Sequence, residues 1–295
     1  MDKEWFLYQE GFEKLDIHAI LTRLPFTVSP LIFLALKLFR RLQGQDGDVA
    51  REEVPVTPKK IFQILNQTIE ALSSVPSPEL ALRLYLQCVE AANDCDLELV
   101  AYEFFTQAFI LYEEEIANSK AQVTAIHLII GTLQWMNIFG VENRDTLTQK
   151  ATGYSIKLFK KPDQCRAVYA CSHLFWVDDQ DGIKDGERVL LYLKRALRIA
   201  NVAQQMASVT RGTGGSITLF VEILNKYLYF FEKGNPQITG SVIQGLIELI
   251  TIEMQCDNTM PDPSVDAFFA STLRYIQFQK QKGSAMGAKY EPIKV

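Results

Sequence analysis

Apolar residues recur along this chain at helical spacing and nowhere in the sustained alternation that marks a strand. Trp5, Phe6, Phe12, Leu15, Ile17, Ile20 and Leu21 set the period in residues 3–22. Pro25 is expected to break that helix, and the next pattern runs from Pro30 to Leu42. It stops at Gln43-Gly44 after Arg40-Arg41, cations in a last turn followed by glycine. Gln45 to Val56 is polar, contains Gly47 and Pro55, and reads as a long internal loop.

Helix starts are then well punctuated. Thr57-Pro58 places a hydroxyl cap before proline at the first helical position, predicting a helix to about Leu72. Ser77-Pro78-Glu79 repeats the signal, with a carboxylate at the positive end of the helix dipole, and that helix ends near Asn93. Leu97 to Ile116 follows, and Ser119 with Gln122 fits a capping box for a helix through Phe139. The pattern continues through Arg144 to Lys160, Pro162 to Trp176 and Gly186 to Ala207. A glycine-rich break at Thr210 to Ser216 precedes Ile217 to Glu232, Ile238 to Gln255 and Pro263 to Gln281.

These are about twelve helices of roughly 15–22 residues, each with a wider apolar stripe than a lone surface helix needs. Short connections make neighbours antiparallel. Helix pairs repeating at about 40–50 residues predict an all-α, HEAT-like α-solenoid over residues 1–281, although no residue-level repeat is visible. A compact helical domain is the alternative. Residues 282–295 lack periodicity and are expected to form a flexible tail.

Composition narrows the function. With 295 residues, 48% of them hydrophobic, the chain can bury a continuous core. A net charge of -5 argues against nucleic acid as a partner. The five cysteines (Cys88, Cys95, Cys165, Cys171, Cys256) include no C-x-x-C pair and read as buried, reduced thiols of a cytosolic protein. Met1 to Glu10 is charged and lacks a signal-peptide pattern, and no apolar run is long enough to span a bilayer, so membrane association is expected to be peripheral.

Candidate chemistry is sparse. His18 and His127 sit in apolar helical patterns and read as core or groove residues. No H-E-x-x-H or Cys/His cluster offers a zinc site. Asp178 to Glu187 resembles a calcium loop until Gly182 is set on the invariant glycine, which leaves Val177 and Arg188 where oxygen ligands are required. Arg211 to Ser216 is glycine-rich but follows a helix and lacks the P-loop lysine. Cys171 and His173 point about 200° apart if both lie on one helix. No catalytic, cofactor or metal residues are assigned, and no enzyme activity is expected.

What remains is surface. Glu113, Glu114 and Glu115 end a helix where the dipole disfavours acids, a hint of an external partner, while Lys157, Lys160 and Lys161 suit a helix C-terminus. Phe175 and Trp176 are either core or an aromatic anchor.

Several long stretches, in order, resemble the large subunit of retromer, the vacuolar protein sorting-associated protein 35 family. They include Tyr102-Glu103-Phe104-Phe105, Tyr112 to Glu115, Ser119 to Gln122, Lys160 to Gln164, His173-Leu174-Phe175-Trp176 and Leu224 to Phe230. The resemblance begins near Leu24-Pro25-Phe26, reaches Thr272 to Ile276, and covers the C-terminal part of that family's chain, without the half that holds the arrestin-like subunit. Asn118 stands where the family usually has aspartate, and Ser29 where proline is common.

The resemblance implies a cytosolic scaffold that sorts transmembrane cargo from endosomes to the Golgi or cell surface. It would be peripheral on endosomal, prevacuolar and Golgi membranes, with sorting-nexin and membrane contacts indirect. It implies a small subunit of metallophosphoesterase fold, held near His173, Leu174, Phe175 and Trp176. It also implies self-association as a homodimer through Glu113, Glu114, Glu115, Lys157, Lys160 and Lys161. The alternative is a truncated or divergent α-solenoid adaptor with another protein partner.

Overall fold

The computed structural model describes residues 23–41, 58–74, 77–177, 183–209, 217–256, 263–282 and 285–295. The expected helix over residues 3–22 with His18, the loop from Gln45 to Val56, most of the acidic loop after Val177, Arg211 to Ser216 and the Cys256 side chain lie outside them. The described residues are helical as expected, and the sole β-type pairing among them is an isolated bridge between Trp176 and Lys184. The chain divides into two compact units, Met1–Thr146 and Leu147–Val295, where the sequence suggests one continuous array.

The first unit holds α1 (residues 23–41), α2 (Pro58–Glu70), α3 (Pro78–Asn93), α4 (Glu98–Ile110) and α5 (Ser119–Trp135). Helix α1 already includes residues 23–29, upstream of the expected start at Pro30. Its buried residues, Val28, Ile32, Leu36 and Phe39, form one stripe across the proline. Burying four large side chains at about 1.5–3 kcal/mol each outweighs the roughly 3 kcal/mol an internal proline costs. Helix α3 is central to this unit: Cys88, Val89, Ala91 and Ala92 are wholly buried, and it packs on α2, α4 and α5.

Polar side chains set the joints here. Helix α4 does not run regularly to Ile116 but loosens into a π turn, Leu111–Glu115, closed by Ile116 N–H donating to Leu111 O at 3.0 Å. Asn118, not Ser119, caps α5: its side-chain oxygen accepts from Lys120 N at 2.9 Å and Ala121 N at 3.2 Å. The expected partner of the capping box, Gln122, instead donates to Ile116 O at 3.0 Å. Asparagine and aspartate cap equally well, so the turn needs only the side-chain oxygen and not a charge. Helix α5 stops at Trp135, short of the expected Phe139, because buried Arg144 takes its terminal carbonyls, reaching Met136 O at 2.8 Å. A cation at that pole satisfies orphan carbonyls and complements the dipole.

The boundary falls within α6 (Val141–Ser155). The second unit continues with α7 (Lys161–Cys171), a 3-10 turn (Ser172–Phe175), α8 (Gly186–Val209), α9 (Ile217–Glu232), α10 (Gly240–Cys256), α11 (Pro263–Gln281) and α12 (Ala285–Tyr290). Helix α9 is apolar on nearly every side: Leu219, Phe220, Val221, Ile223, Leu224, Tyr227, Leu228, Phe230 and Phe231 are all buried. Such a helix must be covered all round, and α7, α8, α10 and α11 do so. It ends on Gly234, whose φ of 81° turns the chain while its N–H donates to Phe231 O at 3.1 Å.

Pairings between alternate helices fix their directions. Arg166 and Tyr169 of α7 meet Glu222 of α9, and His173, just past α7, meets Lys226. Asn225 and Glu232 of α9 meet Thr272 and Tyr275 of α11. Residue numbers rise together in both pairings, so α7, α9 and α11 lie parallel in one layer. The intervening α8 and α10 return the chain, which is the HEAT-like arrangement.

Residues 285–295 are not the free tail the sequence suggests. Tyr290 and Ile293 are fully buried, the Tyr290 ring meets Phe231 edge-on at 5.1 Å, and its hydroxyl donates to Glu232 Oε1 at 2.7 Å. Lys280 Nζ donates to Ile293 O, and Lys294 N donates to Gln244 Oε1 at 2.7 Å. So short a segment shows no period because two side chains do its packing. Tyr290→Ala is therefore expected to cost about 3–5 kcal/mol, read as a lower urea midpoint, whereas a dispensable tail would leave the midpoint unchanged.

Candidate functional site

The polar residues of α9 that interrupt its apolar surface are Glu222, Asn225, Lys226, Tyr229 and Glu232, spaced so that they fall along one stripe. Facing that stripe across the layer are Arg166, Tyr169 and His173. The two rows interleave. Arg166 grips Glu222 with two nitrogens, Nη2 to Oε1 at 2.8 Å and Nε to Oε2 at 3.0 Å. Tyr169 donates its hydroxyl to Glu222 Oε2 at 3.0 Å, and its ring lies 5.8 Å from the Lys226 ammonium. Lys226 Nζ sits 3.1 Å from His173 Nε2, and the imidazole packs 5.0 Å from both the Tyr229 and Phe230 rings.

Electrostatics along the row follow from these contacts. The hydrogen bond to Glu222 holds the Arg166 guanidinium above its ordinary value. Burial, then the Glu222 charge, pushes the Tyr169 phenol far up, so it stays a donor. Burial pulls the Lys226 ammonium down. A lysine ammonium has donors and no acceptor, so at 3.1 Å the charged Lys226 is the donor and His173 Nε2 the acceptor.

His173 does not continue a helix with Pro162 and Trp176, as the sequence suggests. Helix α7 ends at Cys171, and the 3-10 turn swings His173 onto α9 while Cys171 faces Ser155 Oγ at 3.2 Å. Complete burial pushes the Cys171 thiol up to about 12, and Cys165 rises to about 12 for the same reason, so neither is an activated nucleophile. Leu174 is buried, and Phe175 and Trp176 belong to the unit's own core, with the Phe175 ring 4.9 Å from that of Tyr192. Of the four residues of the motif, His173 is the one at the polar row.

The charge runs lie in separate units. Glu113, Glu114 and Glu115 are exposed on the π turn, at the negative pole of α4. Lys157 and Lys160 are exposed and Lys161 is half-buried, its ammonium donating to Gln164 Oε1 at 2.9 Å. Of the three lysines that the sequence places at a helix C-terminus, only Lys157 lies there, its N–H donating to Tyr154 O at 3.0 Å. Helix α6 ends at Ser155, and Lys160 occupies the N-cap position of α7 without a side-chain capping hydrogen bond. Glu113 to Glu115 and the pair Lys160 and Lys161 thus oppose the dipoles next to them, whereas Lys157 lies at the favourable C-terminal end of α6. Between the lysines Phe159 is 87% exposed.

Sequence reasoning missed Arg166, Tyr169, Glu222 and Lys226. The available signal was Glu222, Lys226 and Tyr229 at i, i+4 and i+7 inside an otherwise apolar helix.

Comparison with known proteins agrees with this architecture. The family model for vacuolar protein sorting-associated protein 35 matches residues 13–253. The chain is 76% identical over 273 residues to vacuolar protein sorting-associated protein 35B of Arabidopsis thaliana, covering 92% of this chain and 34% of that protein. It is 65% identical to protein 35A of the same plant, again over 92% of this chain and 34% of the relative. To the Schizosaccharomyces pombe protein 35 it is 37% identical, over 79% of this chain and 27% of the relative. The chain spans about a third of the length of the curated plant relatives it matches. It belongs to the vacuolar protein sorting-associated protein 35 family.

The Arg166–Glu222–Tyr169 group ties α7 to α9 through one partly buried carboxylate. Glu222→Ala is expected to cost about 1–3 kcal/mol in urea unfolding, with the Tyr169→Phe change costing less because only one neutral donor is lost.

Proposed function

We propose that this chain forms part of the large, non-enzymatic scaffold subunit of retromer and docks that complex's small subunit on the α7–α9 row around His173. The observation that carries this reading is the row itself. Two parallel helices present a continuous polar seam over an apolar core, and its groups pair mainly with one another rather than converge on a reacting atom. Surfaces of this kind bind by complementarity. The names of the relatives place them in vacuolar protein sorting, which supports a part in returning cargo from endosomes to the Golgi. No helix among the described residues is long and apolar enough to cross a membrane, and peripheral attachment to endosomal, prevacuolar and Golgi membranes is the localisation that fits this role.

The dipole-opposed charge runs support a second feature of the same reading, homodimerisation. Acids at a negative helix pole and lysines at a positive one each destabilise the isolated chain slightly, and each is relieved by an opposite charge from outside. Glu113 to Glu115 of one copy meeting Lys157, Lys160 and Lys161 of another supplies both.

Calorimetric titration with the retromer small subunit tests the docking role. The wild-type chain is expected to bind and His173→Arg to lose at least about tenfold in affinity, because the new guanidinium lies against the Lys226 ammonium between two rings. Unchanged thermal stability in the variant separates lost docking from lost folding, and no binding by a folded wild-type chain rejects the role. For self-association, sedimentation should show reversal of the three glutamates to lysine dissociating the dimer. Reversal of the three lysines to glutamate should do the same, and an equimolar mixture of the two variants should re-associate. Dimers indifferent to both reversals would exclude this interface.

A further inference from the structure

We propose that Lys226 is an anion-receiving point, which accepts a side-chain carboxylate from the protein that docks on the α7–α9 row. This rests on the docking role proposed above and adds the chemistry of the contact.

The argument is a count of donors and charges. Lys226 is half-buried, and its ammonium carries three N–H donors. One is directed at His173 Nε2, 3.1 Å away, and the Tyr169 ring covers another side at 5.8 Å. Among the described residues no carboxylate lies within ion-pair distance of it. Glu222, one turn back on the same helix, is the natural candidate and is already held by Arg166 and the Tyr169 hydroxyl. Arg166 and Glu222 cancel, and Glu232 is taken up by Tyr275 and Tyr290, so among the described residues the α7-facing part of the row carries one positive charge without an ion-pair partner, at Lys226.

That arrangement is a poor way to stabilise a fold. A methionine of similar length would cover the same rings without desolvating a charge, and a buried cation lacking a counter-charge is a net cost. The same arrangement is good for recognition. The ammonium is held in place by the imidazole and the Tyr169 face before any partner arrives, and its solvation is already partly removed. An incoming carboxylate therefore completes a charge-assisted hydrogen bond at little further ordering cost.

The test pairs binding with stability. Lys226→Met and Lys226→Arg chains are titrated with the retromer small subunit at low and high salt, and their thermal midpoints are compared with the wild type. Lys226→Met is expected to bind about ten- to a hundredfold more weakly, to lose part of the salt dependence, and to melt at the wild-type temperature or above. Lys226→Arg is expected to retain the salt dependence. Binding by Lys226→Met equal to wild type overturns this proposal alone, as does weaker binding with a lowered midpoint, which marks a structural lysine. A folded wild-type chain that does not bind overturns the docking role and this proposal together.

Discussion

The second unit depends on the near-complete burial of α9. A sixteen-residue helix with nine buried apolar side chains has no stable existence in water, and its neighbours are obliged to enclose it. Helices α8 and α10 cover it from one layer while α7 and α11 flank it in its own. The bulk of Phe220, Phe230 and Tyr227, all essentially inaccessible, sets how closely those flanking helices approach. Once the spacing is set, the polar stripe of α9 has one place to lie, along the seams with α7 and α11. Function and packing are therefore not independent. The row that ends at His173 exists because the rest of α9 must be dry.

The same constraint explains why the chain's last residues are structured. Glu232 closes the stripe and accepts from two phenols, Tyr275 at 2.6 Å and Tyr290 at 2.7 Å, one from α11 and one from beyond it. Tyr290 then seals the end of α9 against Phe231. Two tyrosines on one carboxylate pin three segments at a single point, which is why a six-residue helix with no amphipathic pattern is held there.

Much of the architecture was legible because helix ends are punctuated locally. Helices α3, α9 and α11 have the boundaries their sequences predict: Ser77-Pro78 and Pro263 mark starts, and the glycine-rich run before Ile217 ends its neighbour. Errors arose where two residues offered the same chemistry or where a distant contact decided. Asn118 and Ser119 are both good caps, and only the backbone conformation at Asn118 (φ -68°, ψ 126°) selects it. Helix α7 should have continued through Trp176 on periodicity. It ends at Cys171 because Phe175 and Trp176 enter the core and His173 turns to α9, a tertiary override of a local pattern. The polar row was invisible for the same reason, since its members lie on helices more than fifty residues apart. The misjudged dipole of Lys160 and Lys161 followed from placing the end of α6 five residues late.

Electrostatic placement separates structural from recognition charges in this chain. Where a charge serves the fold, it is matched: Arg144 at the C-terminal carbonyls of α5, Glu98 accepting from Gly140 N–H and the Asn143 amide, Arg166 on Glu222. Each lies where a dipole or a counter-charge favours it, and each joins two elements. The glutamates of the π turn and the lysines at the start of α7 follow the opposite rule, set against their helix poles and standing largely in solvent. Lys226 is the intermediate case, with a ring nitrogen of His173 beside it but no opposite charge in ion-pair reach among the described residues. A folding optimum would remove such mismatches at small cost, because most surface substitutions change stability by only a few tenths of a kcal/mol. Their co-occurrence with the matched pairs at Arg144, Glu98 and Arg166 is what a scaffold requires: internal charges that mostly settle one another, and a few set where a partner's charge favours them.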